Sequence, residues 1–433
     1  MKKVLVTVAA LGLVAGVATT ASAVEWKMSG KYVVEGFHLS DGTTATNADG
    51  GMDLTEAAGE DNMADSWYQH TFEISPTMKV NDKISMFATI RMADNTVWGS
   101  NDAATEDTVG SMSSNNDVYF HHLYMDYASP IGKIRLGRTP AGGYGTTFAD
   151  TDTRQNRIML WPSFMPKPWS ALLYIAKADE DDKGTAGSAL DSDHYEARLG
   201  YTVDNLEAGI AYSMTNNNTG ATEDEKELYK GYAKYKMDNY FVNAEIGYYT
   251  GDQTSTVDWE ALGGMLEVGG KFNNLTVSAM YFYAEGDDDT TTGDNEGFMN
   301  ATGTSAGTGA EFEPLYILTG RTTGLLNPDQ GTINGNMQDD GVHAFILAAD
   351  YKVSDALSLH GAIGYAQADE ETATYDDEYG WEYNIGAAYK LLDNLTYEAH
   401  FGYLDTGDYF NAGSTTDTTE NVYMLSHHLT MTF

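Results

Sequence analysis

Residues 393–405 read Asp-Asn-Leu-Thr-Tyr-Glu-Ala-His-Phe-Gly-Tyr-Leu-Asp. Leu395, Tyr397, Ala399, Phe401 and Tyr403 share one parity, and Thr396, Glu398, His400 and Gly402 share the other. In a strand successive side chains point to opposite faces, so this segment has one apolar, aromatic face and one small or polar face. Its length is close to the ~10 residues that a tilted membrane-crossing strand needs. The same alternation returns at 206–212 and 357–365. A soluble sandwich of sheets shows the same period, so the connections between strands must decide.

Short turns and long loops alternate along the chain. Asp204-Asn205, Asp238-Asn239, Asn273-Asn274, Ser354-Asp355 and Asp393-Asn394 each separate two alternating runs. Asn and Asp tolerate the backbone angles of tight turns. Asn81-Asp82 and Ser129-Pro130-Ile131-Gly132 read as further members. Every second connection is long and acidic. Residues 39–65 hold seven Asp/Glu and no Lys or Arg, 286–340 hold ten against Arg321 alone, and 369–378 hold six against none. Short turns at one rim and long loops at the other is how outer-membrane barrels are built. The pattern predicts an all-β, closed, antiparallel transmembrane barrel with short periplasmic turns and long acidic extracellular loops. Between residues 26 and 433 it counts 18 strands, or sixteen if the weak pair around 154–178 belongs to a folded-in loop. An even number returns both ends to the periplasmic rim. Closure leaves no sheet edge for lipid or another chain to meet.

The first 23 residues have the marks of an export signal. Lys2 and Lys3 precede an apolar run over 4–18, and Ala21-Ser22-Ala23 supplies small residues for cleavage. That run is shorter than the ~20 residues of a spanning helix. Residues 1–23 are therefore expected to leave, with 24–433 forming a single barrel domain. Cysteine is absent, which excludes disulfides, thiolate nucleophiles and cysteine metal sites. With 29 Tyr, 15 Phe and 7 Trp the chain can supply aromatic girdles at a lipid interface. The formal charge of −40 repels nucleic acid and attracts cations.

Tyr423, Leu425, Leu429, Met431 and Phe433 alternate to the last residue. A terminal Phe in this register looks like the recognition signal of the outer-membrane assembly machinery. Gly132-Lys133-Ile134-Arg135-Leu136-Gly137-Arg138 is similar to the porin strand that ends in Gly-Arg before the third extracellular loop. Arg154-Gln155-Asn156-Arg157-Ile158, with Ser163 and Phe164, is similar to the return from that loop. On these segments the chain resembles the trimeric general porins, specifically the outer membrane homotrimeric porins. Pro162, Pro166 and Pro168 crowd a turn that is simpler in that family.

The resemblance implies a homotrimer in the outer membrane of a Gram-negative bacterium, surrounded by lipid and lipopolysaccharide. It implies that 139–165 holds a constriction loop folded into the pore, with basic wall residues facing acidic loop residues. Six of the seven arginines lie between 91 and 198. Alternation turns Arg91, Arg135 and Arg198 into the lumen. Arg138 has the lipid-facing parity, so a bulge must turn it if it belongs to the constriction. The resemblance adds Arg154 and Arg157 on the return and Asp150 and Asp152 on the loop. Arginines facing carboxylates across a narrow aqueous gap set up a transverse field.

The expected function is passive diffusion of small hydrophilic solutes and ions with a mild cation preference, without catalysis. Two rivals stay open: a substrate-specific channel for a sugar or metabolite, and a surface adhesin for which 286–340 is the long extracellular loop. A sugar channel wants a lumenal aromatic track, yet most aromatics share parity with the aliphatics; Tyr232 and Phe282 do not. His121-His122 and His427-His428 are adjacent, and adjacent strand residues point apart and cannot chelate together. No cofactor is indicated beyond calcium on the acidic loop, with Asp287, Asp289 and Asp294 as the oxygen ligands to weigh against a solvated surface.

Overall fold

The computed structural model describes residues 24–42, 55–56, 63–98, 118–140, 143–148, 155–180, 191–217, 224–288, 293–298, 312–320, 340–371, 376–411, 418–419 and 421–433. The signal segment, Asp150, Asp152, Arg154 and Asp289 lie outside the described residues.

The tight turns form where Asn, Asp and Ser were expected to make them. Asp238 and Asn273 take φ of 51° and 55°, which most other residues resist. Asn81 Oδ1 accepts from the N–H groups of Lys83 and Ile84 at 2.8 and 3.0 Å. The strands begin with β1 (Glu25–Gly42), β2 (Met63–Lys79), β3 (Ile84–Val97), β4 (Tyr119–Ser129), β5 (Gly132–Thr139) and β6 (Gln155–Pro162). There follow β7 (Trp169–Glu180), β8 (Asp191–Val203), β9 (Leu206–Asn217), β10 (Asp224–Met237), β11 (Tyr240–Asp252) and β12 (Asp258–Phe272). The series ends with β13 (Leu275–Ala284), β14 (Val342–Lys352), β15 (Leu357–Gln367), β16 (Glu378–Leu392), β17 (Leu395–Thr406) and β18 (Val422–Thr432).

Each strand pairs antiparallel with the next, and β1 pairs with β18 from Lys31–Thr432 to Leu39–Met424. The result is a closed barrel of 18 strands. The weak pair around 154–178 belongs to the wall, because β6 and β7 pair with each other and with β5 and β8. Closure pairs the two sheet edges with each other, which is what a lipid-embedded sheet requires.

The faces follow the alternation. Ile210, Ile385, Phe345 and Leu347 stand 59–62% exposed on the outside, among many other large apolar residues. Water would not leave such a belt bare; lipid would cover it. Aromatic residues ring it towards both rims, with Trp26, Trp169, Tyr240 and Tyr389 at one end and Trp98, Phe120, Tyr229 and Trp381 at the other. No described helix is long and apolar enough to cross a membrane.

One expectation fails at a bulge. Thr89 pairs with His122 and Ile90 with Phe120, which leaves His121 as an extra residue. The two imidazoles therefore meet at 4.4 Å in an edge-to-face contact instead of pointing to opposite faces.

Candidate functional site: the lumen and its two inward segments

The connection after β5 turns inward. Arg157 on β6 donates to the carbonyl of Pro140 at 3.0 Å and to Gln155, which pins the start of that loop to the wall. Residues 143–148 reach the far wall. The Tyr144 hydroxyl lies 2.7 Å from the carbonyls of both Leu199 and Ile210, and its ring packs on Tyr232. Thr146 N–H donates to Glu245 on β11 at 2.5 Å. Gly145 takes φ of 98°, and a Cβ there would run into the Glu245 carboxylate, so only glycine fits. Glu245 is held in turn by Lys230 at 2.7 Å.

Arg91, Arg135, Arg157 and Arg198 face the lumen but have partners close by. Arg91 bonds Glu73 at 3.1 Å and Asp94 at 2.8 Å, and Asp94 also accepts from Tyr119. Arg135 is held by both oxygens of Asp126 at 2.7 and 2.9 Å, with its guanidinium 4.1 Å above the Tyr124 ring. Arg198 pairs with Glu196, which also accepts from Tyr174. Arg157 lies 5.0 Å over Tyr174, and Lys133 lies 3.8 Å over Trp161. Each of Arg91, Arg135 and Arg198 thus forms a local dipole with its carboxylate, and the surface is rich in donors and acceptors. The β4–β5 and β5–β6 pairings run through Arg138 without a register shift, opposite Leu123 and Asn156. The bulge that would turn Arg138 inward is absent.

Sequence reading missed the wall carboxylates, though turn geometry could have found two. A turn closed by Ser129 and Gly132 sets Asp126 opposite Arg135, and the turn at 80–83 sets Glu73 opposite Arg91. It also undercounted lumenal rings: Tyr124, Tyr144, Trp161 and Tyr174 all stack with inward cations. Beneath 143–148 lies a recess of about 490 Å³ whose lining includes Thr146, Thr147, Glu207, Lys234, Asn243 and Glu267.

A second segment enters the lumen from the loop between β13 and β14. Leu315, Ile317 and Leu318 are fully buried, and the backbone N–H groups of Tyr316, Ile317 and Leu318 all donate to the carboxylate of Glu382 on β16, at 2.6–2.8 Å. Leu315 fills the space over Gly364 on β15, and Ile317 the space over Gly402 on β17. Residues 312–320, part of the 286–340 expected as the long extracellular loop, thus lie against the inner wall. Its apolar run, Leu315-Tyr316-Ile317-Leu318 inside an acidic stretch, was the available signal. The two inward segments meet: Phe148 stacks on Phe298 at 5.9 Å and meets Phe312 edge-on at 5.8 Å.

At the loop rim the carboxylates of Asp287, Asp288 and Glu296 gather within 4.8 Å, a different trio from Asp287, Asp289 and Asp294. Burial and the neighbouring charges of Glu296, Asp369 and Glu260 push the Glu285 carboxyl up to about 7. A carboxyl raised in the folded state binds its proton more tightly there than in the unfolded chain. Stability from this group is then present below about pH 4.5 and lost as pH rises towards 7. Glu285→Gln is expected to flatten the fall in thermal midpoint between these pH values; an unchanged fall would refute the assignment.

No family model and no curated protein matches the chain. Solved structures do. A BenF-like porin from Pseudomonas fluorescens Pf-5 aligns over 94% of this chain and 99% of its own at 11% identity, with a TM-score of 0.55. OpdQ from Pseudomonas aeruginosa aligns over 94% and 97% at 10% identity, TM-score 0.54. OccK9 (OpdG) from the same organism aligns over 94% and 98% at 11% identity, TM-score 0.53. The fold is the porin barrel. At these identities the likeness is one of architecture, shared across nearly the whole chain.

Proposed function

We propose that this barrel lies in the outer membrane of a Gram-negative bacterium and is a porin for passive diffusion of small hydrophilic solutes and ions. The observation that carries this reading is a closed 18-stranded wall with an apolar outside and a charged inside, against which residues 143–148 are held. A barrel of this size is too wide for wall side chains alone to fill. The resemblance adds a homotrimer, lipopolysaccharide contacts, delivery by the outer-membrane assembly machinery, and Asp150 and Asp152 facing the wall arginines. The −40 charge favours cations at the mouth, within a Debye length of ~8 Å at physiological salt.

A substrate-selective channel is the second reading. The second inward segment and the ring-backed charges of the wall favour it, since a narrow, donor-rich path discriminates between solutes. Single-channel recording under a salt gradient tests both. Ohmic openings that close in threes, reversing towards the cation potential, are expected of the general porin. Block by one sugar or acid at low concentration would select the second reading. A stably inserted but silent barrel would refute both.

A further inference from the structure

We propose that His400, His428 and Glu398 form a binding site for a divalent transition-metal ion on the inner wall of β17 and β18. The inference goes beyond the channel reading and does not need it. Alternation places the three side chains on one face. Glu398 and His400 are two residues apart on β17, with the parity opposite to the outward Tyr397 and Phe401. His428 on β18 pairs directly with Glu398. Directly paired residues hold their Cβ atoms about 4.5–5.5 Å apart, and a diagonal neighbour is within reach of a long side chain. The His400 and His428 rings lie 5.4 Å apart between centroids, at 73° to each other.

Both rings are held as ligands are held. A histidine that binds a metal through one nitrogen has its other N–H fixed by an oxygen, which sets the tautomer and aims the lone pair. His428 Nδ1 lies 3.2 Å from Glu35 Oε1 on β1, and Glu35 accepts from Gln69 at 3.1 Å. His400 Nδ1 lies 2.9 Å from the Tyr316 hydroxyl, which can accept from it. The Nε2 atoms of both rings have no partner among the described residues, and both stay in contact with the lumen. Glu398 has no hydrogen bond or ion pair among the described residues either. Its carboxylate can therefore rotate towards the two nitrogens and close the set. Two imidazoles and a carboxylate, with water in the remaining positions, suit Zn²⁺ and its first-row neighbours. Calcium and magnesium want oxygen ligands alone. The −40 charge of the chain draws divalent cations towards the barrel and so towards this wall.

The adjacent His427 is a natural control, because it packs outward on Tyr68 and Tyr397. Zn²⁺ is titrated by calorimetry into the barrel folded in detergent at neutral pH, purified without a polyhistidine tag. Heat-shifted migration in detergent gels checks the folding of each variant. One tight zinc site per chain is expected. Losing an outer partner of a ligating histidine costs about 10–100-fold in affinity, and losing a ligand costs no less. His400→Gln, His428→Gln and Glu398→Gln should each weaken zinc binding by at least about tenfold. His427→Gln should bind as the wild type does, and excess Ca²⁺ should not compete. Unchanged affinity in the His400 and His428 variants, an equal loss in His427→Gln, or displacement by Ca²⁺ would overturn the site. The readout is binding and not current. A barrel that binds zinc but never conducts would keep the site and remove only the channel reading, and a conducting barrel that binds no zinc would do the reverse.

Discussion

Replacing Gly30 by valine is expected to prevent the barrel from closing. The seam joins β1 to β18, and its last contacts are reciprocal: Gly30 N–H donates to the Phe433 carbonyl at 2.8 Å, and Phe433 N–H donates to Gly30 at 3.0 Å. The Phe433 ring lies across Gly30, where a Cβ would meet the ring and the carbonyl of Glu73 at once. The ring can swing away, but the Glu73 carbonyl belongs to the next ladder and cannot. An open seam in lipid would leave a row of backbone groups unpaired, each costing several kcal/mol. Loss of the folded, heat-shifted band from outer-membrane fractions is the expected result. Gly30→Ala should be milder, and adding Phe433→Ala should partly restore it. A normal folded band for Gly30→Val would show that the seam tolerates the side chain. Phe433→Ala alone separates the two roles proposed for this residue: a loss of assembled protein with no loss of stability in what does assemble would point to the recognition signal.

Strand alternation and turn residues carried nearly all of the architecture. The segment around Leu395–Thr406 could be placed by parity alone, and even the Pro-rich turn at 163–168 only separates β6 from β7. Parity works because a barrel wall has just two environments, lipid and lumen, and each strand samples both. It failed wherever the backbone departs from period two, as at His121 and His122, where one extra residue brings two rings together. It was also blind to what lies inside the wall. Nothing in the alternation of β16 says that Glu382 will meet three N–H groups from a segment 64–66 residues away in the chain. Inward arginines were legible because their neighbours were aliphatic. Their partners Glu73 and Asp126 needed cross-strand register, which the turns define but composition does not. The apolar run at 315–318 was a visible anomaly in an acidic loop, and buried contact with the wall is its physical explanation.

Lys230→Met should be among the most damaging single changes inside the lumen. The Lys230 and Glu245 side chains are only 7% and 1% exposed, with Nζ 2.7 Å from Oε1. Methionine matches the length of the lysine stem but leaves the carboxylate without its counter-charge. Breaking a buried pair in this way costs about 3–5 kcal/mol, because the remaining charge has neither water nor a partner. The Thr146 N–H still donates to Glu245, yet one neutral donor does not replace an ammonium. The carboxylate must then find water or a proton, and either change disturbs the anchor of residues 143–148. The variant should unfold at lower urea in lipid vesicles, and its single-channel current should be noisier than that of the wild type. Adding Glu245→Gln should recover most of the stability, since the amide oxygen can still accept from Thr146 and no charge remains buried. If Lys230→Met alone stays within about 1 kcal/mol of the wild type, the pair is better hydrated than its burial indicates. Residues 143–148 would then owe their position to Tyr144 and Phe148.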